Sequence, residues 1–259
     1  MKASDAESRY GRIAGLFDLP VVHRRRVALV GQGSLLQPVG SQLLRHGVGT
    51  AVPGRIRLID GDRVEARNLI GTEYRMAHLG LPKVEAAAAI LAEINPDVNV
   101  TLWHKHLQLE DIPALVDIAH QTDLLVHGFD SFELMNRVAD ACDSICPQVA
   151  AFFGPRCDYA EIAFSVPGIT QRLTQTLGQR KLSSIGKPEA LGVDTAFVSA
   201  FVAALCLRML LGESRGSELL PIYSNAPLII VGVRPEWIFS GQRKDVLRSV
   251  LCVGARRPA

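Results

Sequence analysis

Val27-Ala28-Leu29-Val30, followed at once by Gly31-Gln32-Gly33, is the stretch on which the fold turns. A short apolar run without alternation reads as a strand buried on both faces, as in a parallel sheet covered by helices. The glycines that end it allow a tight turn. Residues from about Val39 to His46 then continue as a helix that Gly47-Val48-Gly49 stops. Strand, glycine turn and helix in that order bring backbone N–H groups and the positive end of a helix to one point, where a phosphate can bind. On its own, Gly31-x-Gly33 is a weak signal, because a tight βα turn without a ligand has the same look. Leu36 also stands where the dinucleotide fingerprint has its third glycine.

Outward from this unit the pattern repeats. Arg55 to Asp60 alternates as a strand and ends on a carboxylate, and Lys83 to Ile94 has helical spacing that Asn95-Pro96 terminates. Strands follow at Val98 to Trp103, Leu124 to Val126, Val149 to Phe153, Glu161 to Val166 and Leu228 to Val233. Helices are expected at Ile112 to His120, at Glu133 to Cys142 and through Ala200. Strands alternating with helices predict a Rossmann-like α/β fold: a doubly wound, mostly parallel sheet with helices on both faces. Residues 1–20 turn from polar to amphipathic and predict an N-terminal helical arm, which leaves 21–259 as one domain. Thr170 to Pro188 is polar and basic and is expected to be a mobile loop.

Composition narrows the function. The 259 residues carry 28 Lys and Arg against 26 Asp and Glu, a net charge of +2, whereas nucleic-acid binders are strongly basic. The basic run His23-Arg24-Arg25-Arg26 is local and reads as a solvated approach to the first strand. Five scattered cysteines form no disulfide framework or zinc-binding pairs and suit a reducing, cytoplasmic setting. No signal peptide is visible. The longest uncharged apolar stretch, Thr195 to Leu207, falls short of the roughly 20 residues of a membrane span. It reads as a buried or interface helix, and no membrane partner is expected.

The acidic strand tip decides between chemistries. Asp60 can accept hydrogen bonds from ribose hydroxyls. A nicotinamide dehydrogenase would explain Asp60 but would leave Asp62, Asn68 and Lys83 without roles. A nucleotidyl-transfer site uses all of them.

Four ordered segments carry a family resemblance. They are Arg9-Tyr10-Gly11-Arg12, Asp60-Gly-Asp62-Arg-Val64-Glu65-x-x-Asn68-Leu69, Gly80-x-Pro82-Lys83-Val84-Glu85 with Ile94-Asn95-Pro96, and Phe129-Asp130-Ser131-Phe132 with Arg137. Together they resemble the ThiF/MoeB/HesA family, relatives of ubiquitin-activating enzymes, and a weaker likeness continues to about Val233. The resemblance implies ATP- and Mg2+-dependent adenylation of the C-terminal carboxylate of a ubiquitin-like protein, a sulfur-carrier protein or a short peptide. Lys83 then meets the phosphates, Asp130 holds magnesium, Gly31 and Gly33 shape the phosphate loop, and Asp60, Asp62 and Asn68 form the nucleotide pocket. Arg12 matches an arginine that reaches into the partner subunit's site, which implies a homodimer. Each has a plainer alternative: a helix-start lysine, an N-cap for Asp130, turn residues at Asp62 and Asn68, and a surface arginine at Arg12.

The sequence also departs from the family pattern. Gly71 stands where the family has a phosphate-binding arginine, and Arg75 is the nearest compensating cation. Ser34 and Leu36 replace glycines of the loop. Cys157, flanked by Arg156 and Asp158, is either a nucleophilic thiol or a buried inert one. These departures keep a second reading open, that of a nucleotide- or partner-binding scaffold without turnover.

Overall fold

A computed structural model describes residues 9–13, 18–128, 131–153, 159–178, 192–215 and 228–232. The apolar runs form β1 (Arg26–Val30), β2 (Arg55–Ile59), β3 (Val100–Trp103), β4 (Leu124–His127), β5 (Gln148–Phe153), β6 (Tyr159–Ser165) and β7 (Leu228–Gly232). Between them lie α1 (Leu19–His23), α2 (Gln37–Arg45), α3 (Lys83–Ile94), α4 (Ile112–His120), α5 (Phe132–Cys142), α6 (Leu173–Gly178) and α7 (Gly192–Arg215).

The strands make one sheet in the order β3-β2-β1-β4-β5-β6-β7. Strands β1 to β5 are parallel, whereas β6 and β7 join antiparallel. The order reverses beside β1, whose neighbours are β2 and β4. At such a reversal the connections diverge to opposite faces and leave a crevice at the carboxyl ends of the strands.

The run Val27–Val30 is buried on both faces because it feeds two cores. Leu29 meets α2, α3 and α7 through Val39, Val84, Ile90 and Val202. Ala28 and Val30 meet α4 and α5 through Leu115, Ala119 and Val138. A smaller cluster, with Met135, Phe152 and Leu173, closes the space between α5, α6 and the β5–β6 pair.

Two expectations change. Part of the stretch expected as a mobile loop is α6: Leu173 is buried, and its N–H donates to Asp143 Oδ1 at 3.0 Å. One apolar anchor and one carboxylate partner suffice to seat this helix in a polar stretch. Residues 179–188 lie outside the described residues. The apolar stretch around Ala200 belongs to a longer helix whose segment Asp194–Leu211 is long and apolar enough, by length and composition, to cross a membrane. Here its inner side (Val198, Val202, Leu205, Cys206) is buried in the core, with Phe197 and Phe201 exposed on the other side. Of the expected N-terminal arm, residues 9–13 and 18–20 are described.

Candidate functional site

A cleft of about 290 Å³ opens at the carboxyl ends of β1, β2 and β4, lined among others by Gly31, Gly33, Asp60, Asp62, Lys83 and Gly128. Its floor is the turn after β1. Gly31 has φ +99°, and a Cβ there would lie 2.9 Å from Gly128 O, so the position excludes any other residue without strain. At Gly33 a Cβ would meet nothing within 4 Å, which leaves that backbone open to an approaching group.

Asp60 organises the turn. Its Oδ2 accepts from Gln32 N at 2.6 Å and its Oδ1 from Asp62 N at 2.7 Å. Each carboxylate oxygen keeps a further lone pair, which a ribose hydroxyl can use.

Lys83 is the first residue of α3 and is only 8% exposed. A cation at a helix N-terminus opposes the helix dipole. Asp62 offsets this: its Oδ2 lies 2.7 Å from Lys83 Nζ, and its backbone O accepts from Lys83 N at 2.9 Å. Burial pushes the Asp62 carboxyl upward, but the Lys83 hydrogen bond and charge, together with the charges of His106 and Arg67, hold the group below its ordinary value. The result is a desolvated ammonium beside a phosphate-type loop.

Other predicted site residues fall elsewhere. Asn68 Oδ1 accepts from Glu65 N at 2.8 Å and so shapes the 65–69 turn rather than lining the cleft. Arg75 is exposed outside the cleft and paired with Glu93 at 2.9 Å. Arg12 is exposed, on a segment docked at the far end of α3. There Arg9 Nη1 donates to Ile94 O at 3.0 Å, and Tyr10 packs on His23 with ring centroids 4.9 Å apart. The length of α3, about 18 Å for its 12 residues, separates that end from Lys83. Asp130 and Cys157 lie outside the described residues. The N-cap of α5 is Ser131, whose Oγ accepts from Leu134 N at 3.3 Å. Burial pushes the Cys142 thiol up to about 11 and that of Cys146 to about 12, and raises Cys206 further, so these three are packing groups. Among the described residues no group of three or more His, Cys, Asp or Glu could hold a metal ion.

Three features escaped the sequence reading. Buried Tyr74 places its hydroxyl 2.9 Å from Gln32 O and 3.2 Å from Lys83 O, tying the phosphate loop to the start of α3. Its only sequence signal is that a buried tyrosine needs a polar partner. The segment after β3 brings Lys105, His106 and Gln108 to the cleft wall. Finally, the place of the absent arginine is closed by packing. A Cβ on Gly71 would lie 2.8 Å from Ser34 Cβ and 3.0 Å from Thr195 Oγ1 at the start of α7.

A mostly parallel sheet with its glycine turn, acidic second-strand tip and buried lysine at the order reversal defines a nucleotide-binding α/β protein of the Rossmann type. The ThiF family model matches residues 12–225, and the chain belongs to that family. It is 27% identical over 150 residues to ubiquitin-like modifier-activating enzyme 5 of Bombyx mori, covering 52% of this chain and 37% of that protein. It is 31% identical over 145 residues to adenylyltransferase and sulfurtransferase MOCS3-1 of Zea mays, covering 54% and 29% respectively. The chain thus spans about a third of the length of these curated relatives. Similar folds include E. coli MccB with ATP, at TM-score 0.63 and 20% identity, covering 78% of this chain and 63% of that one. E. coli tRNA N6-threonylcarbamoyladenosine dehydratase, TcdA, with AMP reaches TM-score 0.65 at 18% identity, covering 83% and 99%.

Proposed function

We propose that this chain is an ATP-dependent adenylyltransferase acting on the C-terminal carboxylate of a small ubiquitin-like or sulfur-carrier protein, or of a short peptide. One observation carries the reading: the buried Lys83 ammonium stands in one cleft with the open Gly33 backbone and the Asp60 carboxylate. The names of the two curated relatives, an activating enzyme and an adenylyltransferase, support the same reaction class.

The substrate carboxylate attacks the α-phosphorus of ATP. A phosphorus–oxygen bond to the carboxylate forms, the bond to the β,γ-pyrophosphate breaks, and pyrophosphate leaves with the electron pair. Asp60 holds the ribose, and the loop N–H groups around Gly33 receive phosphate oxygens. Lys83, already stripped of water, meets the charge that grows on the phosphoryl oxygens. Magnesium supplies further neutralisation when bound, and Asp130, the carboxylate the family pattern assigns to it, is of the right ligand type. Arg12 stands too far along α3 to serve its own cleft, which favours a homodimer in which it serves the partner's.

Gly71 favours one competing reading, a scaffold that binds nucleotide or partner without turnover. ATP–pyrophosphate exchange stimulated by glycine-ended peptides or carrier proteins separates the two. Exchange that falls about 10²–10³-fold in Lys83→Met is the expected result. Tight ATP binding with no exchange for any carboxylate substrate would establish the scaffold instead.

A further inference from the structure

The segment that follows β3 brings an imidazole to the carboxylate that holds Lys83. His106 Nδ1 lies 3.5 Å from Asp62 Oδ1, while Lys83 Nζ holds Oδ2 at 2.7 Å. Two contacts fasten that segment to the turn after β2. A Cβ on Gly61 would lie 2.2 Å from His106 N, and His104 Nε2 lies 3.0 Å from Gly61 O. His106 also lines the cleft.

We propose that His106 is a positioning residue of the adenylation site, acting through Asp62 to release the Lys83 ammonium toward the triphosphate. The proposal rests on the adenylation reading, and it names a control of that site that the motif residues alone do not contain.

In the free protein the Lys83 ammonium is satisfied by Asp62 and so is not fully available to a ligand. A triphosphate must draw it away, and the cost is the Asp62–Lys83 attraction in a half-desolvated place. An imidazolium at Asp62 Oδ1 neutralises the carboxylate from its other side. This weakens the hold on Lys83 and leaves Asp62 paired once the lysine turns to phosphate. A neutral imidazole does neither. Among the described residues, charged groups face His106 from three elements. Asp60, Asp62 and Arg67 belong to the turn after β2, with Arg67 paired to Glu65 at 2.7 Å but still acting on Asp62. Lys83 comes from α3. On the histidine's own segment are His104 and Lys105, the latter bound to Asp111. Among the described residues, Asp60 and Asp62 are the carboxylates that line the cleft, so a protonated His106 adds the countercharge that Lys83 gives up.

The test is calorimetric binding of tripolyphosphate and of a non-hydrolysable ATP analogue to the full chain, as wild type, His106→Gln and His106→Lys. Measurements at about pH 6 and about pH 8 bracket the imidazole range. Phosphate groups titrate in the same range, so the quantity read is the ratio between proteins at each pH. Wild type should bind about two- to fivefold tighter than His106→Gln at the lower pH and equally at the higher. His106→Lys, charged throughout, should bind tightly at both. Equal affinities for wild type and His106→Gln at both pH values overturn the proposal and leave the adenylation reading standing. So does a His106→Lys variant no tighter than His106→Gln at the higher pH. A wild type that binds neither probe overturns the adenylation reading, and this proposal with it.

Discussion

The phosphate loop stands between two unlike walls, one that lines the cleft and one behind the loop that does not. The wall between β2 and α3 is held by charge: Asp60 on the loop N–H groups, Asp62 on Lys83, His106 behind Asp62. The wall between the phosphate loop and α7 is held by contact between small groups. Gly71 abuts Ser34 and Thr195, and Ser199 Oγ lies 2.8 Å from Leu35 O and 2.7 Å from Thr195 O. Charged walls can exchange partners when a ligand arrives, because an ammonium donates to phosphate as readily as to carboxylate. Packed walls cannot, since nothing replaces the contact that is lost. The chain has therefore kept its mobile charge on one side and spent the other on rigidity.

Breaking the packed wall should have the largest effect. Gly71→Arg restores the residue type of the family pattern, yet its Cβ would start 2.8 Å from Ser34 Cβ. The backbone of the loop or the start of α7 must shift. We expect a loss of about 3 kcal/mol of unfolding free energy, read by urea denaturation, with no gain in pyrophosphate exchange. A variant as stable as wild type with higher turnover would mean that the wall opens in the working enzyme.

Both walls stand on a floor that acid should undermine. His127, the last residue of β4, is fully buried and directly precedes Gly128 of the cleft. Burial lowers its pKa from the ordinary 6.5 to about 4, against the opposing effect of a hydrogen bond to Gln148. The folded-state value lies below the unfolded one, so the unfolded chain takes up the proton first as pH falls. Stability is unaffected by this group above pH 6.5 and falls progressively below it, the loss reaching about 3 kcal/mol near pH 4. Urea midpoints measured across that window should fall steeply in wild type and flatten in His127→Gln. Parallel profiles would assign the acid sensitivity to other groups.

The charged wall was legible in the sequence and the packed one was not, for a physical reason. Asp60, Asp62 and Lys83 are chemically distinctive and lie within one strand–loop–helix unit, and the helix bounds Lys83 to Ile94 followed from helical spacing and the Asn95-Pro96 stop. The parallel sheet followed from runs such as Val27–Val30, whose lack of alternation reports burial on both faces. By contrast, Ser34, Gly71 and Thr195 meet across distant parts of the chain, and small residues carry no pattern that announces a meeting. His106 was invisible for a related reason: its partner Asp62 lies on the turn after the neighbouring strand, and only the β2–β3 register brings them together. Arg75 was a reasonable substitute cation by its distance along the chain, but the geometry gives it to Glu93 instead.

Tyr74 bridges the loop and α3 and so tests whether the charged wall depends on its anchorage. Tyr74→Phe keeps the buried ring and removes the hydroxyl that faces Gln32 O and Lys83 O. Two buried carbonyls lose a donor, which should cost about 1–2 kcal/mol of stability and loosen triphosphate binding without changing the nucleotide preferred. Unchanged stability would show that water replaces the hydroxyl and that the loop is held by Asp60 alone.

Arg75→Ala should do least, and it separates the two walls most cleanly. The Arg75–Glu93 pair is exposed on both sides, at 64% and 54%, so solvent screens it. Its removal should change stability by no more than about 0.5 kcal/mol. Triphosphate affinity should stay the same, because Arg75 lines no part of the cleft. Calorimetry with the ATP analogue at low and high salt reads this directly. A loss of about tenfold or more, largest at low salt, would put the guanidinium on the phosphates. The turn from Ile70 to His78 would then have to swing inward on binding, pulling Gly71 off Ser34 and Thr195 and making the packed wall the mobile one.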